Sequence, residues 1–360
     1  MKKYIIVSTY PEYGSKNIGD QLITSALIDV IKFTKGANVE IDIVWREDSW
    51  ENIKERVFNA DAVVFACLAI RPNMSVKEYP FLKNLLKENI PLAVVSAGTS
   101  IPVSCVKKSV LNYVSNETKE QLLSLDRNAI FFTTRGYLTQ FFCESIGLSN
   151  VVFSGDVAFF NQRYKDVSFV EGKKINKIVI SDPHHSKLYL RSFNALVLAL
   201  RAKYNDAEIV VALHGNDAAI KEYVNRSGLK YIEVFKDKDK GLSIYDSADL
   251  HVGYRVHAHV SSLKRGVYSY LLEQDGRGCD YGLTINRKIS VPSYCQPRGL
   301  LEKFMGKFGF NRYAVGVSPV DQIISLVSQD EVLGFHKFLG LEKQLATFSD
   351  DIINSIKKLP

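Results

Sequence analysis

The chain has 360 residues, and its 46 Lys and Arg outnumber its 39 Asp and Glu by a formal net charge of +7 at pH 7. Apolar residues make up 46% and charged residues 24%, which excludes a disordered or fibrous protein and, at about 100–200 residues per domain, predicts two globular domains. The small positive excess permits an anionic partner, but the cations are scattered along the chain, so a dedicated nucleic-acid binder is disfavoured.

The cysteines and the hydropathy pattern bear on the compartment. Five widely spaced cysteines include no CxxC pair, which argues against a disulfide framework or a zinc ribbon and favours a reducing compartment. No apolar run approaches the roughly 20 residues that a membrane span requires. The apolar run near Met1 is too short for a signal peptide, and no small-residue cleavage site follows it. We therefore expect a cytoplasmic protein.

In the first half of the chain, short β-rich runs alternate with amphipathic segments. The run at residues 4–8 predicts a strand, and the apolar spacing from Ile18 to Ile31 predicts the helix that follows it. Further strands are predicted at 39–44, 62–66, 92–96 and 129–132. Apolar strands separated by helices are typical of a parallel sheet that is covered on both faces.

The same pattern restarts after a polar stretch at 161–174, which we interpret as a linker. Strands are predicted at 177–180, 209–213, 231–235, 248–252 and 267–271, and an apolar stripe predicts a helical tail. The expected fold is α/β, with two Rossmann-like doubly wound domains facing a cleft and a C-terminal helix. The expected bounds are 1–165, 172–332 and, for a helix that packs back on the N-terminal domain, 333–360.

The loop before the first helix contains Asn17, Gly19 and Asp20. Backbone N–H groups at a helix start favour an anionic or polar ligand. Alternatively, Asn17 and Asp20 cap the helix, and the spacing by itself favours this second interpretation. The loop has neither GxGxxG nor the Walker Gly-Lys-Ser/Thr, so it supports neither a dinucleotide site nor a P-loop.

Two further segments follow predicted strands of the first half. Arg135 lies where a strand runs into a helix, and its guanidinium matches a carboxylate or a phosphate. The commoner alternative is a surface arginine paired with an acid. Gly155 and Asp156 follow the next strand and form either an interdomain turn, which is favoured, or a carboxylate of the cleft.

The most informative segment is Ala248 to Tyr268, where a strand ends at Gly253 and a helix begins near Arg255. Arg255 and His257 then lie in the first turn, at the positive end of the helix. A histidine there would have a lowered pKa, yet could donate a proton once an anion is bound beside it. The alternatives are that His257 and His259 serve in packing or capping, or form a metal pair. A metal pair is weaker, because i and i+2 do not share a helix face and no third ligand is evident.

Two more loops follow strands of the second half. His184 and His185 form a polar cluster that is structural or lines a substrate rather than binding a metal. The segment Glu273-Gln-Asp-Gly-Arg carries Arg277 at another predicted carboxyl-terminal loop.

Taken in order, these segments resemble the polysaccharide pyruvyl transferase family. The resemblance runs from residue 17 to about 282 and rests on ordered motifs: Asn17-x-Gly19-Asp20, Arg135, Gly155-Asp156, Gly253-x-Arg255-x-His257 and Asp275-x-Arg277. The chain departs from the family where Gly136 replaces an aspartate and Val256 a leucine, and where Arg277 stands at a position that is often lysine. The valine is a neutral packing change, and the arginine keeps the charge.

The resemblance implies a GT-B-like pair of Rossmann-like domains, with the acceptor on the N-terminal and the donor on the C-terminal domain. It implies transfer, without metal or cofactor, of an enolpyruvyl-derived unit from phosphoenolpyruvate to sugar hydroxyls, leaving a pyruvate ketal. Acceptors would be sugars of a bacterial polysaccharide or its lipid-linked precursor, which would bring the enzyme to the inner face of the cell membrane.

The implied catalytic residues are His257 as general acid and Asp20 as candidate base. The substrate-binding residues would be Arg135, Arg255, Arg277, Asn17, Gly19, Asp156 and His184. Two other functions remain open from the sequence: a GT-B nucleotide-sugar glycosyltransferase that uses the same arginines on a diphosphate, and an inactive glycan-binding homologue.

Overall fold

The computed structural model describes residues 1–10, 17–103, 112–237, 240–285, 287–295 and 315–360. The described residues divide into two compact units. The first comprises those of Met1–Ile101, Lys107–Asp166 and Lys343–Pro360, and the second comprises those of Pro102–Val106 and Val167–Glu342. Each unit is built around a parallel sheet with helices between its strands.

The first unit has a sheet whose strands run in the order β2-β1-β3-β5-β6-β7, with β4 beside β5. These strands are β1 (Lys2–Ser8), β2 (Val39–Trp45), β3 (Ala62–Ala66), β4 (Ala69–Ile70), β5 (Leu92–Thr99), β6 (Ala129–Thr134) and β7 (Val151–Phe153). Strands β3 and β5 are buried along their whole length, which is why they read as continuous apolar runs. The chain runs toward one edge of the sheet from β1 to β2 and toward the other edge from β3 onward. The topological switch point therefore lies between β1 and β3.

Among the described residues, six helices pack against this sheet. In chain order they are α1 (Ile18–Lys35), α2 (Trp50–Phe58), α3 (Met74–Lys77), α4 (Leu82–Leu85), α5 (Asn116–Asn128) and α6 (Tyr137–Ser145). One face of the sheet and helices α2 to α6 share one core, in which Val63, Phe65, Val94 and Phe132 have no exposed surface. Burial of such side chains stabilises the unit by about 1.5–3 kcal/mol each.

The second unit has the strand order β10-β9-β8-β11-β12-β13, which is the Rossmann order 3-2-1-4-5-6. Its strands are β8 (Lys177–Ser181), β9 (Glu208–Leu213), β10 (Lys230–Glu233), β11 (Leu250–Gly253), β12 (Tyr268–Glu273) and β13 (Ser290–Pro292). Its described helices are α7 (Ser186–Lys203), α8 (Ala218–Arg226), α9 (Val256–Leu263), α10 (Gly276–Thr284) and α11 (Ser318–Val332). The chain runs toward one edge of this sheet from β8 to β10 and toward the other edge from β11 to β13, so its topological switch point lies between β8 and β11. The fold class predicted from the sequence, with two Rossmann-like domains, is therefore confirmed.

Short 3-10 helices also occur, at Val157–Phe159, Tyr164–Asp166, Val234–Lys236, Gly241–Ser247 and His336–Phe338. The last of these precedes the C-terminal helix α12 (Leu341–Ile356), which begins at Leu341 rather than at residue 333. Positive φ angles at Gly334, Phe335 and Gly340 interrupt the helical periodicity of the tail. Within the first unit, Phe348 of α12 packs so closely on Gly155 that a Cβ there would lie 2.4 Å from the ring.

Among the described residues, no helix combines the length and the apolar character that a bilayer crossing demands.

Candidate functional site

In the second unit, the switch point lies between the carboxyl ends of β8 and β11. Residues Asp182 to His185 follow β8, and Tyr254 and Arg255 follow β11. Ligands of open α/β sheets bind outside the strand ends at such a point. The structure places Arg255 as the N-cap residue of α9, as the sequence predicts, so its side chain begins where the helix has its positive end.

Arg255 forms an ion pair with Asp182, a residue that sequence reasoning missed. Its Nη2 lies 2.8 Å from Oδ2 of Asp182, and its Nε donates to Oδ1 and to the backbone oxygen, each at 3.0 Å. Asp182 has no exposed surface, and its Oδ1 also accepts from the backbone N–H of His214 at 2.9 Å. Burial raises the pKa of Asp182, while the guanidinium and this N–H oppose the rise. The pair therefore holds the guanidinium in one orientation.

His184 lies on the outer side of this guanidinium. Nη1 of Arg255 is 3.3 Å from Nδ1 of His184, and the rings of His184 and His185 are 4.6 Å apart. Burial, with a smaller contribution from the charge of Arg255, lowers the pKa of His184 to about 4. His184 is therefore neutral at pH 7, and its Nδ1 can accept a hydrogen bond from the arginine.

Arg277 belongs to the same cluster. It lies in the first turn of α10 and contacts both carboxylate oxygens of Asp275, with Nη2 2.6 Å from Oδ2. Burial alone would raise the pKa of Asp275, but the ion pair and two backbone N–H groups lower it. Nη1 of Arg277 donates no hydrogen bond to any residue that the structure describes. The backbone N–H of His184 donates to Oε1 of Gln274 at 2.9 Å, so the loop that leads to Arg277 lies beside His184. The charges of Arg255, Arg277 and Asp275 all act on the pKa of this histidine.

The histidines of α9 have different environments. His257 lies in the first turn, and it is near enough to His214 to help lower the pKa of that buried imidazole, for which burial is the largest cause. His214 in turn has its Nε2 2.7 Å from the Tyr245 hydroxyl. His259 is buried with its Nδ1 2.7 Å from Ser269 Oγ, so for this residue the packing interpretation is correct. In the described part of the chain, no group of three or more His, Cys, Asp or Glu is arranged to hold a metal ion.

In the first unit, the switch point lies between β1 and β3. Asn17 is the N-cap of α1, and its Oδ1 accepts from the backbone N–H of Gly19 at 3.0 Å, so the capping interpretation is confirmed for this residue. Asp20 lies in the first turn and is half-buried. The N-terminus of α1 thus carries an aspartate where a negative charge is favourable.

Arg135 is only 8% exposed, so it is not the surface arginine of the commoner alternative. Its Nη2 donates to the backbone oxygen of Thr99 at 3.2 Å, and its Nη1 lies 3.7 Å from Sγ of Cys67. The guanidinium crosses Gly98, where a Cβ would lie 2.4 Å from its central carbon. Gly136, which stands where the family has aspartate, leaves the N-terminus of α6 without a side-chain cap.

Asp156 is buried and caps a 3-10 turn through the backbone N–H of Ala158 at 2.8 Å, as the turn interpretation predicts. The pKa of the Cys67 thiol is raised to about 12, chiefly by burial; Arg135 opposes the rise, and Asp156 and Asp20 add to it. The charges of the sequence-predicted residues Asp20, Arg135 and Asp156 therefore all act on one thiol, and Arg135 contacts it. Sequence reasoning missed Cys67, because a cysteine directly after the buried strand β3 resembles any other small core residue.

A cavity of about 320 Å³ lies elsewhere in the second unit, at the amino ends of β8 and β9. Its lining includes Lys173, Lys174, Lys203, Tyr204 and Glu331. It contains none of the residues predicted from the motifs, and we do not assign it to the site.

The two arginine–aspartate pairs should differ in their effect on stability. Arg255→Ala leaves a fully buried carboxylate without its cation, so we expect the free energy of unfolding to fall by about 3 kcal/mol. Arg277→Ala breaks a pair that is 37–38% exposed, and we expect a loss of about 0–1 kcal/mol. Urea titrations followed by circular dichroism compare the two variants, and equal losses would contradict the assigned roles.

The pKa of His184 should report the charge of Arg255. In Arg255→Gln the nearest cation is removed, so the pKa should rise from about 4, but it should stay below the ordinary 6.5 because burial is the larger cause. Arg277→Gln, the matched control, removes a smaller contribution and should raise the pKa less. Histidine NMR titrations measure both, and a larger rise in the control variant would refute the geometry.

A known family resembles this chain in sequence, and known structures resemble it in fold. A family model described as polysaccharide pyruvyl transferase matches residues 17–276. No curated protein matches the sequence.

Several solved structures share the fold. MnaA of S. aureus, in a structure with UDP, is 10% identical over 94% of this chain and 91% of its own, with a TM-score of 0.55. A putative UDP-N-acetylglucosamine 2-epimerase from Listeria monocytogenes is 10% identical over 94% and 90%, with a TM-score of 0.53. The UDP-N-acetylglucosamine 2-epimerase from Rickettsia bellii is 11% identical over 99% and 96%, with a TM-score of 0.53.

At identities this low, these structures establish the GT-B-like fold and nothing about the substrate. The family model, by contrast, extends from Asn17 to Gly276, the residue before Arg277, and so includes the motifs around Arg135, Asp156 and Arg255. The chain belongs to the polysaccharide pyruvyl transferase family.

Proposed function

We propose that the protein transfers the enolpyruvyl-derived unit of phosphoenolpyruvate to sugar hydroxyls of a bacterial polysaccharide or its lipid-linked precursor, forming a pyruvate ketal. The observation that carries this proposal is that Arg255 lies 3.3 Å from His184 at the switch point of the second unit, while the charge of Arg277 acts on the same histidine. Phosphoenolpyruvate has a carboxylate and a phosphate, so a site with two permanent cations matches its two anionic groups.

The two arginines can contribute to donor binding in different ways. The buried pair with Asp182 keeps Arg255 in place, so this residue offers only its outer edge, near His184. The half-exposed pair of Arg277 with Asp275 is worth about 0–1 kcal/mol, so a bound anion can replace the carboxylate at low cost. The N-termini of α9 and α10 add positive potential at the same edge.

In the proposed reaction, His257 is the acid and the leaving group is phosphate. His257 protonates C3 of the donor, and a sugar hydroxyl attacks the oxocarbenium-like C2. A second hydroxyl of the same sugar then forms the other C–O bond, while the bond from C2 to the phosphate oxygen breaks and phosphate leaves with its electron pair. The two hydroxyl protons pass to a base and finally to phosphate and His257. The products are the ketal and inorganic phosphate.

The first unit is proposed to bind the acceptor, with Asp20 as the base that receives a hydroxyl proton. Asn17 and Gly19 form the cap that holds Asp20 in the first turn of α1. Arg135 and Asp156 are buried, with Nη1 of Arg135 3.7 Å from Sγ of Cys67, and we propose that they contribute by fixing the loops of this site. A lipid-linked acceptor would bring the protein to the inner membrane surface.

Ligand binding separates this function from a nucleotide-sugar glycosyltransferase. We expect phosphoenolpyruvate to raise the melting temperature, because it bridges Arg255 and Arg277, and we expect UDP- and GDP-sugars to leave it unchanged. Arg277→Gln should lose most of the shift while keeping the fold. Stabilisation by a nucleotide sugar but not by phosphoenolpyruvate would favour the glycosyltransferase instead.

Turnover tests the proposed acid. With phosphoenolpyruvate and a panel of defined glycosides, His257→Ala should release phosphate about 10²–10⁴-fold more slowly than the unsubstituted protein. His336→Ala is the control, because this histidine is 74% exposed on the tail of the second unit. Near-normal transfer by a folded His257→Ala variant would exclude the mechanism. Binding of a glycan without any consumption of phosphoenolpyruvate would indicate an inactive homologue.

A further inference from the structure

A chain of buried hydrogen bonds runs beneath helix α9. The backbone N–H of Arg255 donates to Ser181 Oγ at 3.1 Å, and Ser181 Oγ lies 2.9 Å from Nε2 of His251. Nδ1 of His251 lies 2.7 Å from Ser269 Oγ, which lies 2.7 Å from Nδ1 of His259. Ser181, His251 and Ser269 have no exposed surface. We call Ser181, His251, Ser269 and His259 the serine–histidine relay.

The strand register explains why these side chains meet. His251 of β11 is paired with Ser269 of β12, so their side chains lie on the same face of the sheet. Gly253, two residues along β11, is paired with Ser181 of β8. A Cβ at Gly253 would lie 2.2 Å from Ser181 Oγ. The absence of that Cβ lets the serine hydroxyl reach both His251 and the first N–H of α9.

The hydrogen atoms of the relay can be assigned by counting donors. Ser181 Oγ accepts from Arg255, so its own hydroxyl hydrogen needs an acceptor, and Nε2 of His251 is the one that the described residues provide. His251 then carries its proton on Nδ1 and donates it to Ser269. Ser269 in turn donates to Nδ1 of His259, whose proton is on Nε2. Each group therefore donates to the next one, from the backbone N–H of Arg255 to Nδ1 of His259.

Both imidazoles must be neutral for this order to hold. Burial lowers the pKa of His259 to about 3 and lowers that of His251 well below its ordinary value. A second proton on His251 would place an N–H donor at Nε2, facing the hydroxyl hydrogen of Ser181, and would break this series of hydrogen bonds.

We propose that the serine–histidine relay positions the first turn of α9 and, with it, Arg255 and His257. Helix α9 has only eight residues, and its N-cap residue makes no side-chain capping hydrogen bond, so the helix by itself is weakly fixed. The relay holds it at the N–H of Arg255 and again one turn later at His259. His257 lies between these two attachments. Apolar packing alone would tolerate small rotations of the helix, whereas directional hydrogen bonds at two points resist them.

The catalytic consequence of this proposal rests on the proposed function, but the hydrogen-bond order does not. Nitrogen-15 NMR of the imidazoles distinguishes the tautomers in the protein as it stands. We expect His251 as the Nδ1–H tautomer and His259 as the Nε2–H tautomer. The opposite assignment, or a charged imidazole at pH 7, would overturn the relay.

Matched serine substitutions test the positioning. Ser269→Ala cuts the relay, whereas Ser262→Ala removes a buried hydroxyl of α9 itself, which donates to the backbone oxygen of Ala258 at 2.9 Å. We expect Ser269→Ala to shift the His257 imidazole resonances and to lower kcat by about tenfold to a hundredfold, because small displacements of a catalytic group have effects of about this size. Ser262→Ala should do neither.

A second variant keeps the test decisive if Ser269→Ala does not fold. Ser181→Ala cuts the relay at its other end and should have the same effects. Unchanged His257 resonances in both folded relay variants, as in Ser262→Ala, would refute the proposal. If the unsubstituted protein transfers no pyruvyl group to any acceptor, the proposed function fails, while the tautomers and the His257 resonances still decide the relay.

Discussion

A carboxylate without exposed surface at the end of β8 is the constraint on which the second unit's site depends. Removing Asp182 from water is costly unless a cation and hydrogen-bond donors accompany it, and Arg255 and the N–H of His214 supply both. Through these contacts of Asp182, the loops after β8, β9 and β11 are held together. The first turn of α9, which carries His257, begins at the arginine of this pair. The position of the candidate acid is thus linked to the ion pair through the backbone itself.

Local sequence patterns predicted the two sheets and several element boundaries. Alternation of apolar runs and amphipathic segments indicated both parallel sheets, since buried strands and helix faces leave their own periodicity in the sequence. The junction at Gly253 and Arg255 was placed correctly for the same reason. Asn17 was predicted as a cap because capping depends on residues two or three positions apart.

Long-range pairing could not be predicted in this way. Asp182 and Arg255 are separated by 73 positions, and no spacing rule connects them. Cys67 was missed because a cysteine that ends a buried strand resembles any other small core residue. The tail was predicted as one helix from its apolar stripe, but Gly334 and Gly340 adopt positive φ angles that end that periodicity. The chemistry of the site is therefore less visible in the sequence than the fold that carries it.

Glycines within each unit explain why Arg135 of the first unit and Arg255 of the second can lie where they do. Gly98 lies under the guanidinium of Arg135, and a Cβ at Gly215 would lie 3.2 Å from Nη2 of Arg255. Gly253 makes room for the hydroxyl that accepts from the N–H of Arg255. A planar guanidinium with five donors needs a flat, close surface, and a backbone without a Cβ provides one together with carbonyl acceptors. The glycine in Gly-x-Arg-x-His is thus part of the support of the arginine. Its replacement by even the smallest side chain would displace Ser181 before it touched any ligand.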